Sequence, residues 1–234
     1  MAGIEKVLDL EFSATGPASL VAERSFVYGT LAACLQYPDE ILIESINSGT
    51  LLKGLKSIFD FEKDLALTKD EAAGLSAKIT FETLKSEYCQ LFEVTTPQGA
   101  ICNMFAGLHY GDRMQVMEEH IRFYNFFDLH MPETIEELPD HLSTELEFLR
   151  FLSTQEAYAI ENDQPVLSLQ KAQRDFISRH VLHWIDSLEE SVEDYAQEPF
   201  YLSLIKLTKA VLTSEFTRVN ETQDASTIPS LNLD

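Results

Sequence analysis

The chain has 234 residues, 45% of them hydrophobic, and 39 acidic against 17 basic side chains give a formal charge of −22. That length can bury a sizeable core in one domain or two intimate subdomains, and the apolar share excludes wholesale disorder. Such an acidic surface repels nucleic-acid phosphates and anionic lipid and favours a basic partner, although solubility alone accounts for the charge equally well. Cys34, Cys89 and Cys102 are widely spaced with no Cys-x-x-Cys, which suits a reducing compartment and not a disulfide framework. Met1 to Phe12 carries Glu5, Asp9 and Glu11 against a single Lys6, the wrong charge for a secretory signal, and no run reaches membrane-spanning length. Composition therefore predicts a cytoplasmic protein with neither nucleic acid nor membrane among its partners.

In chain order, residues 1–19 read as a flexible arm that ends near Gly16-Pro17. From Leu20 the spacing of Val27, Leu31 and Leu35 predicts a helix that stops at Tyr37-Pro38. Ile41 to Phe61 reads as one or two short helices broken near Asn47-Ser48-Gly49. Leu75, Ile79, Leu84, Tyr88 and Leu91 predict a long helix, or a pair, between about Thr68 and Phe92. Val94 to Gly111, richer in Gly, Pro and Asn, reads as a long loop of a kind that is uncommon in compact domains and often functional. Helix returns from about Met114 to Phe127, with Val116, Met117, Ile121 and Tyr124 inward. Pro132 and Pro139 then bracket a hinge, residues 131–139, between an N-terminal half (20–130) and a C-terminal half (140–219). The second half holds a helix to about Glu161, one from Leu167 to Leu188, and one that begins at Pro199 and runs through Val211 and Phe216. Residues 220–234 are polar and read as a disordered tail. No strand pattern of useful length and no repeat interrupts the series, so the expected fold is all-α: a bundle of two closely packed helical halves. Because either half can pack on that of a second molecule, a monomer with a possible domain-swapped dimer is expected.

The most informative stretch is Leu138-Pro139-Asp140-His141-Leu142-Ser143-Thr144-Glu145-Leu146-Glu147. Asp140 is placed to cap a helix, Thr144 and Glu147 offer an overlapping Thr-x-x-Glu capping pattern, and Leu142, Leu146, Leu149 and Leu152 with Phe148 form an apolar stripe. A helix start has no need of the histidine. An imidazole beside a capping carboxylate is either a local hydrogen-bond partner or part of a recognition site. Catalytic signatures are missing: no Gly-x-Ser-x-Gly, no His-Glu-x-x-His, no phosphate loop. His180 and His183 share a helix face, but further ligands do not stand nearby, and Phe176, His180 and Trp184 at four-residue spacing read as an aromatic seam instead of a metal site. The sequence thus calls for no catalytic residue, metal or cofactor. Charge carries more information. Glu133, Glu136, Glu137, Asp140, Glu145, Glu147, Glu156, Glu161 and Asp163 are opposed within their run by Arg150 alone, and Asp186 to Glu198 holds further carboxylates with no base among them. An acidic groove at the hinge would suit a peptide with arginines and an apolar stretch, since guanidinium forks match carboxylates.

The Pro139-Asp140-His141 triplet resembles the signature of the TorD/DmsD/NarJ family, and other segments agree in order and spacing. Glu87-Tyr88-Cys89-Gln90-Leu91-Phe92 is similar to the family's Glu-Tyr-x-x-Leu-Phe, followed by a loop with Pro97 and Gly99. Gly111-Asp112-Arg113-Met114, Met117-Glu118-Glu119 and Arg122 to Phe127 resemble the branch that serves ethylbenzene and dimethylsulfide dehydrogenases and selenate and chlorate reductases, and Phe176, His180, Trp184 and Phe200-Tyr201 fall where the family closes its last helices. The resemblance spans residues 20 to 215. It implies a cytoplasmic all-helical chaperone, not an enzyme, that binds the leader and apo form of a molybdenum-cofactor oxidoreductase subunit, assists cofactor insertion and delays export. It also implies peptide-binding roles for Asp140, His141 and Glu145, with Pro139 fixing the helix entry and Tyr88 and Tyr124 in the groove. Cys102-Asn103-Met104-Phe105-Ala106-Gly107 departs from the family's usual Pro-Tyr-Glu-Ser run, so site assignments do not transfer into that loop. The reading from another class is a helical adaptor joining two proteins, with no part in cofactor insertion.

Overall fold

A computed structural model describes residues 16–96, 99–130 and 138–227. The arm before Gly16, the hinge residues 131–137 and the end of the tail lie outside the described residues.

Each helix start carries its own local cause. Helix α1 (Pro17–Cys34) opens on a proline at its first position after Gly16, whose φ of 65° is a glycine conformation. Asp39 caps α2 (Glu40–Ser48) by accepting from the Leu42 N–H, and left-handed Gly49 (φ 76°) ends α2 and begins α3 (Thr50–Ile58), where the sequence places the break. Asp60 caps the single turn α4 (Phe61–Asp64), and Thr68 with Glu71 closes a reciprocal capping box on α5 (Lys69–Ala73). The expected long element from Thr68 to Phe92 is therefore a pair: a tight 3-10 turn (Gly74–Ser76) follows α5, and Thr80 caps α6 (Phe81–Tyr88). A Cβ on Gly74 would collide with the Pro199 carbonyl and the Ser203 hydroxyl, so the turn is held where a later helix crosses it. A wide π turn, Cys89–Glu93, ends α6, and strands β1 (Thr95–Thr96) and β2 (Gly99–Ala100) pair antiparallel beyond it.

Asp112 caps α7 (Arg113–Phe126), which stops at Asp128 with φ of 60°. Helix α8 (Leu142–Glu161) runs 20 residues through the interior, with Leu142, Leu146, Leu149 and Leu152 fully buried. Helices α9 (Leu167–Phe176) and α10 (Leu182–Tyr195) are joined by a second π turn, Ile177–Val181, so the rod continues past the expected end at Leu188 because Val192 still finds the core. Helix α11 (Pro199–Thr227) closes the bundle and carries on beyond Asn220, where polar composition suggests fraying.

The principal packing is α1 against α8. Small residues let the two backbones approach: Ala18, Ala22 and Gly29 on α1 and Ala157 on α8, with Ser25 donating to the Arg150 carbonyl at 3.2 Å and bonding Thr154 at 2.7 Å. A Cβ on Gly29 would stand 3.0 Å from the Arg150 side chain. One apolar cluster extends without interruption from Val27 on α1 to Leu212 on α11, taking in Leu84, Leu146, Trp184 and Tyr201. No helix among the described residues is long and apolar enough to cross a membrane.

Candidate functional site

At the start of α8, Pro139, Asp140 and His141 are all buried, and the reason is the loop that follows β2. Cys102 to Gly107 runs alongside them like an extra strand. The Ala106 N–H donates to the Asp140 carbonyl at 2.9 Å, the Leu142 N–H donates to the Met104 carbonyl at 2.8 Å, and Phe105 faces His141 across the pairing. The long loop is thus an inner belt, with Cys102 and Ala106 at zero exposure. Asp140 does not cap the helix, contrary to the reading of the sequence, and neither does the Thr144-Glu147 pattern. The cap is His141, whose Nδ1 accepts from the Ser143 N–H at 3.2 Å and bonds the Ser143 hydroxyl at 2.7 Å. An Nδ1 that accepts a backbone N–H holds no proton, so the ring is the Nε2–H form. Asp140 is instead turned toward the belt, where its Oδ2 accepts from the Gly107 N–H at 3.0 Å. A Cβ on Gly107 would lie 3.0 Å from that oxygen and 3.1 Å from the Arg113 Cα, so glycine is required by the close approach.

One turn further in, Glu145 Oε1 meets His120 Nε2 at 2.7 Å, both side chains at zero exposure. His120 donates its Nδ1–H to the Val116 carbonyl at 2.8 Å, which leaves a single proton between Nε2 and the carboxylate. Burial alone would pull the His120 pKa down, but the hydrogen bond and charge of Glu145 outweigh it and the net shift is upward. Burial raises Glu145, and His120 reverses this only in part. The pair therefore holds its proton tightly. His180, with its ring 4.2 Å from that of His120, is pushed down to about 3 by burial and then by the His120 charge, and it stays neutral. The π turn at Ile177–Val181 is what swings His180 into this position. Tyr110 reaches His180 Nδ1 at 3.4 Å, while His109 stacks on Trp184 at 4.8 Å and bonds Ser187 and the Asn103 carbonyl at 3.0 and 2.8 Å. Asp140 Oδ1 and His180 Nε2 have no hydrogen-bond partner among the described residues.

The six residues singled out in the sequence are distributed as follows. Pro139, Asp140, His141, Glu145 and Tyr124 come together, Tyr124 donating to the Pro139 carbonyl at 2.7 Å. Tyr88 stands apart in an aromatic cluster with Tyr37, Phe92 and Tyr201, its hydroxyl on the Leu35 carbonyl at 3.4 Å. None lines an open groove: Asp140 and Glu145 are at 0% exposure, Tyr124 at 4%, His141 at 7% and Tyr88 at 8%. The Glu-Tyr-x-x-Leu-Phe segment works as a clasp of the same kind. Glu87 Oε1 accepts from the Gln197 and Glu198 N–H groups at 2.6 and 3.0 Å ahead of α11, and the Leu91 carbonyl accepts from Cys102 N–H at 2.8 Å. Sequence reading missed His120, Gly107, His109 and Tyr110. The available signal for His120 was its position four residues from both Val116 and Tyr124 on the inward face of α7.

The acidic runs also divide. Glu156 is buried, accepting from Gln170 and Gln173 at 2.7 Å each with Arg218 at 3.6 Å, and so it is no part of a solvated face. On α10, Asp186 and Glu189 meet Lys209 at 2.7 and 2.8 Å, and Glu193 meets Lys206 at 3.4 Å; the bases missing from that run come from α11. Among the described residues no group of three or more His, Cys, Asp or Glu side chains can hold a metal ion.

This arrangement defines a helical scaffold whose interior polar groups hold segments of its own chain together around the start of α8. The profile of the family described as nitrate reductase delta subunit matches residues 60–190. The selenate reductase assembly chaperone protein of Thauera selenatis is 31% identical over 77% of this chain and 96% of its own length. The chlorate reductase assembly chaperone protein of Ideonella dechloratans is 37% identical over 48% of this chain and 58% of its own, and the perchlorate reductase assembly chaperone protein of Dechloromonas aromatica 29% over 80% and 85%. The chain belongs to the nitrate reductase delta subunit family, the TorD/NarJ-type assembly chaperones, and is a chaperone rather than an enzyme.

Proposed function

We propose that this protein is a cytoplasmic, system-specific chaperone that binds the N-terminal leader and the apo form of the catalytic subunit of a molybdenum-cofactor oxidoreductase, assists cofactor insertion and delays export until folding is complete. The observation that supports the reading is similarity to a selenate reductase assembly chaperone over 77% of this chain and 96% of that protein. The work is recognition, and binding energy does it. Pro139, Asp140, His141, Glu145, Tyr88 and Tyr124 serve peptide recognition as the buried frame of the surface that the client meets: Asp140 holds the belt, and Tyr88 packs its ring on Tyr201 at the start of α11. The acting species is a monomer, with a domain-swapped dimer accessible through the hinge. Tagged protein recovered from cells should carry the catalytic subunit in its cofactor-free form, and a deletion strain should accumulate inactive client. Full cofactor content and normal export in the deletion strain would reject the proposal.

A further inference from the structure

The two oxygens of the buried Asp140 carboxylate differ. Oδ2 accepts from the Gly107 N–H at 3.0 Å, while Oδ1 has no hydrogen-bond partner among the described residues. A buried acceptor without a donor is costly, because nothing offsets the loss of its hydration. A donor stands close by. The missing side chain of Gly107 leaves a slot with two walls: a Cβ there would lie 3.0 Å from Asp140 Oδ2 and 3.0 Å from Arg113 Cγ. The arginine stem and the carboxylate are therefore at most about 6 Å apart, twice 3.0 Å. Beyond Cγ the side chain carries a guanidinium with five N–H donors. Arg113 is exposed at the first position of α7, and its guanidinium makes no hydrogen bond or ion pair among the described residues. The other carboxylates near it on α7 are engaged. Asp112 caps the helix at the Gln115 N–H, Glu118 meets Arg122 at 3.3 Å, and Glu119 accepts from the Gln115 amide at 3.4 Å. Asp140 is the carboxylate with an oxygen to spare.

We infer that Arg113 is a latch: its guanidinium turns in at the Gly107 slot and bonds the Asp140 carboxylate, and the structure holds the open state. Turning in breaks no bond that the guanidinium makes among the described residues. It costs hydration and side-chain freedom, which a charge-assisted hydrogen bond to a carboxylate offsets. Closed, the latch joins three segments distant in sequence through one carboxylate: the belt at Gly107, the start of α7 at Arg113 and the start of α8 at Asp140. Open, the carboxylate holds the belt alone. Arg113 is thus a positioning residue for the belt, and glycine at 107 serves it as well, since a methyl group there would stand between the two partners.

The test uses the full chain and two readings. The first is solvent exchange of the Arg113 Nε–H by NMR, with the resonance assigned by its loss in Arg113→Lys. Exchange should be several-fold slower in wild type than in Asp140→Asn, a variant that keeps an acceptor for the Gly107 N–H and so keeps the fold. The second is a double-mutant cycle by urea unfolding with Arg113→Met, which retains the stem and removes the guanidinium. Arg113→Met should lower the folding constant roughly three- to fivefold in the wild-type background and leave it unchanged in Asp140→Asn, the size expected of a charge pair at the edge of solvent. Arg113→Lys should keep part of the effect. A packing role of the stem alone predicts the opposite pattern: equal Nε–H exchange in wild type and Asp140→Asn, and an Arg113→Met effect of the same size in both backgrounds. Either of those results overturns the latch.

Discussion

His120→Ala is the most informative single perturbation of the interior. His120 and Glu145 share one proton at 2.7 Å with no solvent access, so removing the imidazole strands a carboxyl group in the core. Breaking one side of a buried pair costs about 3–5 kcal/mol. For a chain of this size that is a fall of roughly 6–20 °C in Tm. Glu145→Gln keeps a neutral donor for Nε2 and should cost only about 1 kcal/mol. The two variants differ again in pH dependence. Both members of the pair have raised pKa values in the fold, and together they hold one proton. Above about pH 6.5 the unfolded imidazole has lost its proton. Folding then takes one up, and stability falls as pH rises through the folded pKa, by at most about 1.4 kcal/mol per pH unit. Below the unfolded value both states bind the proton and this contribution is fully present. Urea unfolding monitored by circular dichroism between pH 6 and 9 measures both effects. A loss below about 1 kcal/mol for His120→Ala, or an unchanged pH slope in Glu145→Gln, would refute the shared proton.

Glu156→Ala leaves the buried Gln170 and Gln173 amides without their acceptor while Arg218 keeps Glu215, and denaturant titration should show a loss of about 2–6 kcal/mol against about 1 kcal/mol for Glu156→Gln. Gly107→Ala forces a methyl group against Asp140 and Arg113 and should cost about 1–3 kcal/mol, with faster amide exchange at Ala106 and Gly107 as the local signature. Asp140→Asn keeps an acceptor for the Gly107 N–H and should melt within about 1 kcal/mol of wild type, whereas Asp140→Ala orphans a buried N–H at about 1–3 kcal/mol. His141→Ala removes a cap and should cost about 0.5–2 kcal/mol by thermal melting.

Helix positions were legible because they follow from periodicity and punctuation. Gly49, Pro38 and Pro199 act within a few residues of the elements they bound. The apolar stripe of α8 was equally plain, as its leucines are the interior. What stayed hidden depends on pairings far apart in sequence. Asp140 preceding a helix is a cap by local statistics, and what turns it away is Gly107, thirty-three residues earlier and on a different segment. The Gly-, Pro- and Asn-rich stretch reads only as a long loop on composition, because nothing local shows that its N–H and carbonyl groups pair with Asp140 and Leu142. Charge runs misled for a related reason. Counting along the chain sees Asp186 to Glu198 without a base, but helices place Lys206 and Lys209 beside them from the next element.

A residue at zero exposure influences a partner only by positioning something else, and this separates two kinds of variant. Asp140 holds the belt through the Gly107 N–H, and the belt sets His109 on Ser187 of α10; Glu87 holds the start of α11 through two N–H groups, and α11 brings Lys206 and Lys209 to the carboxylates of α10. Substitutions at Asp140, Gly107 or Glu87 should therefore lower stability and client maturation together, in proportion to the backbone groups they leave unpaired. A substitution at an exposed position that touches no buried bond can lower recognition only with melting unchanged. A motif that looks like a binding site in sequence, and is found paired to its own chain in structure, is placed by this contrast: when stability and maturation fall in step at Asp140, the Pro-Asp-His segment is the frame of the site and not its face.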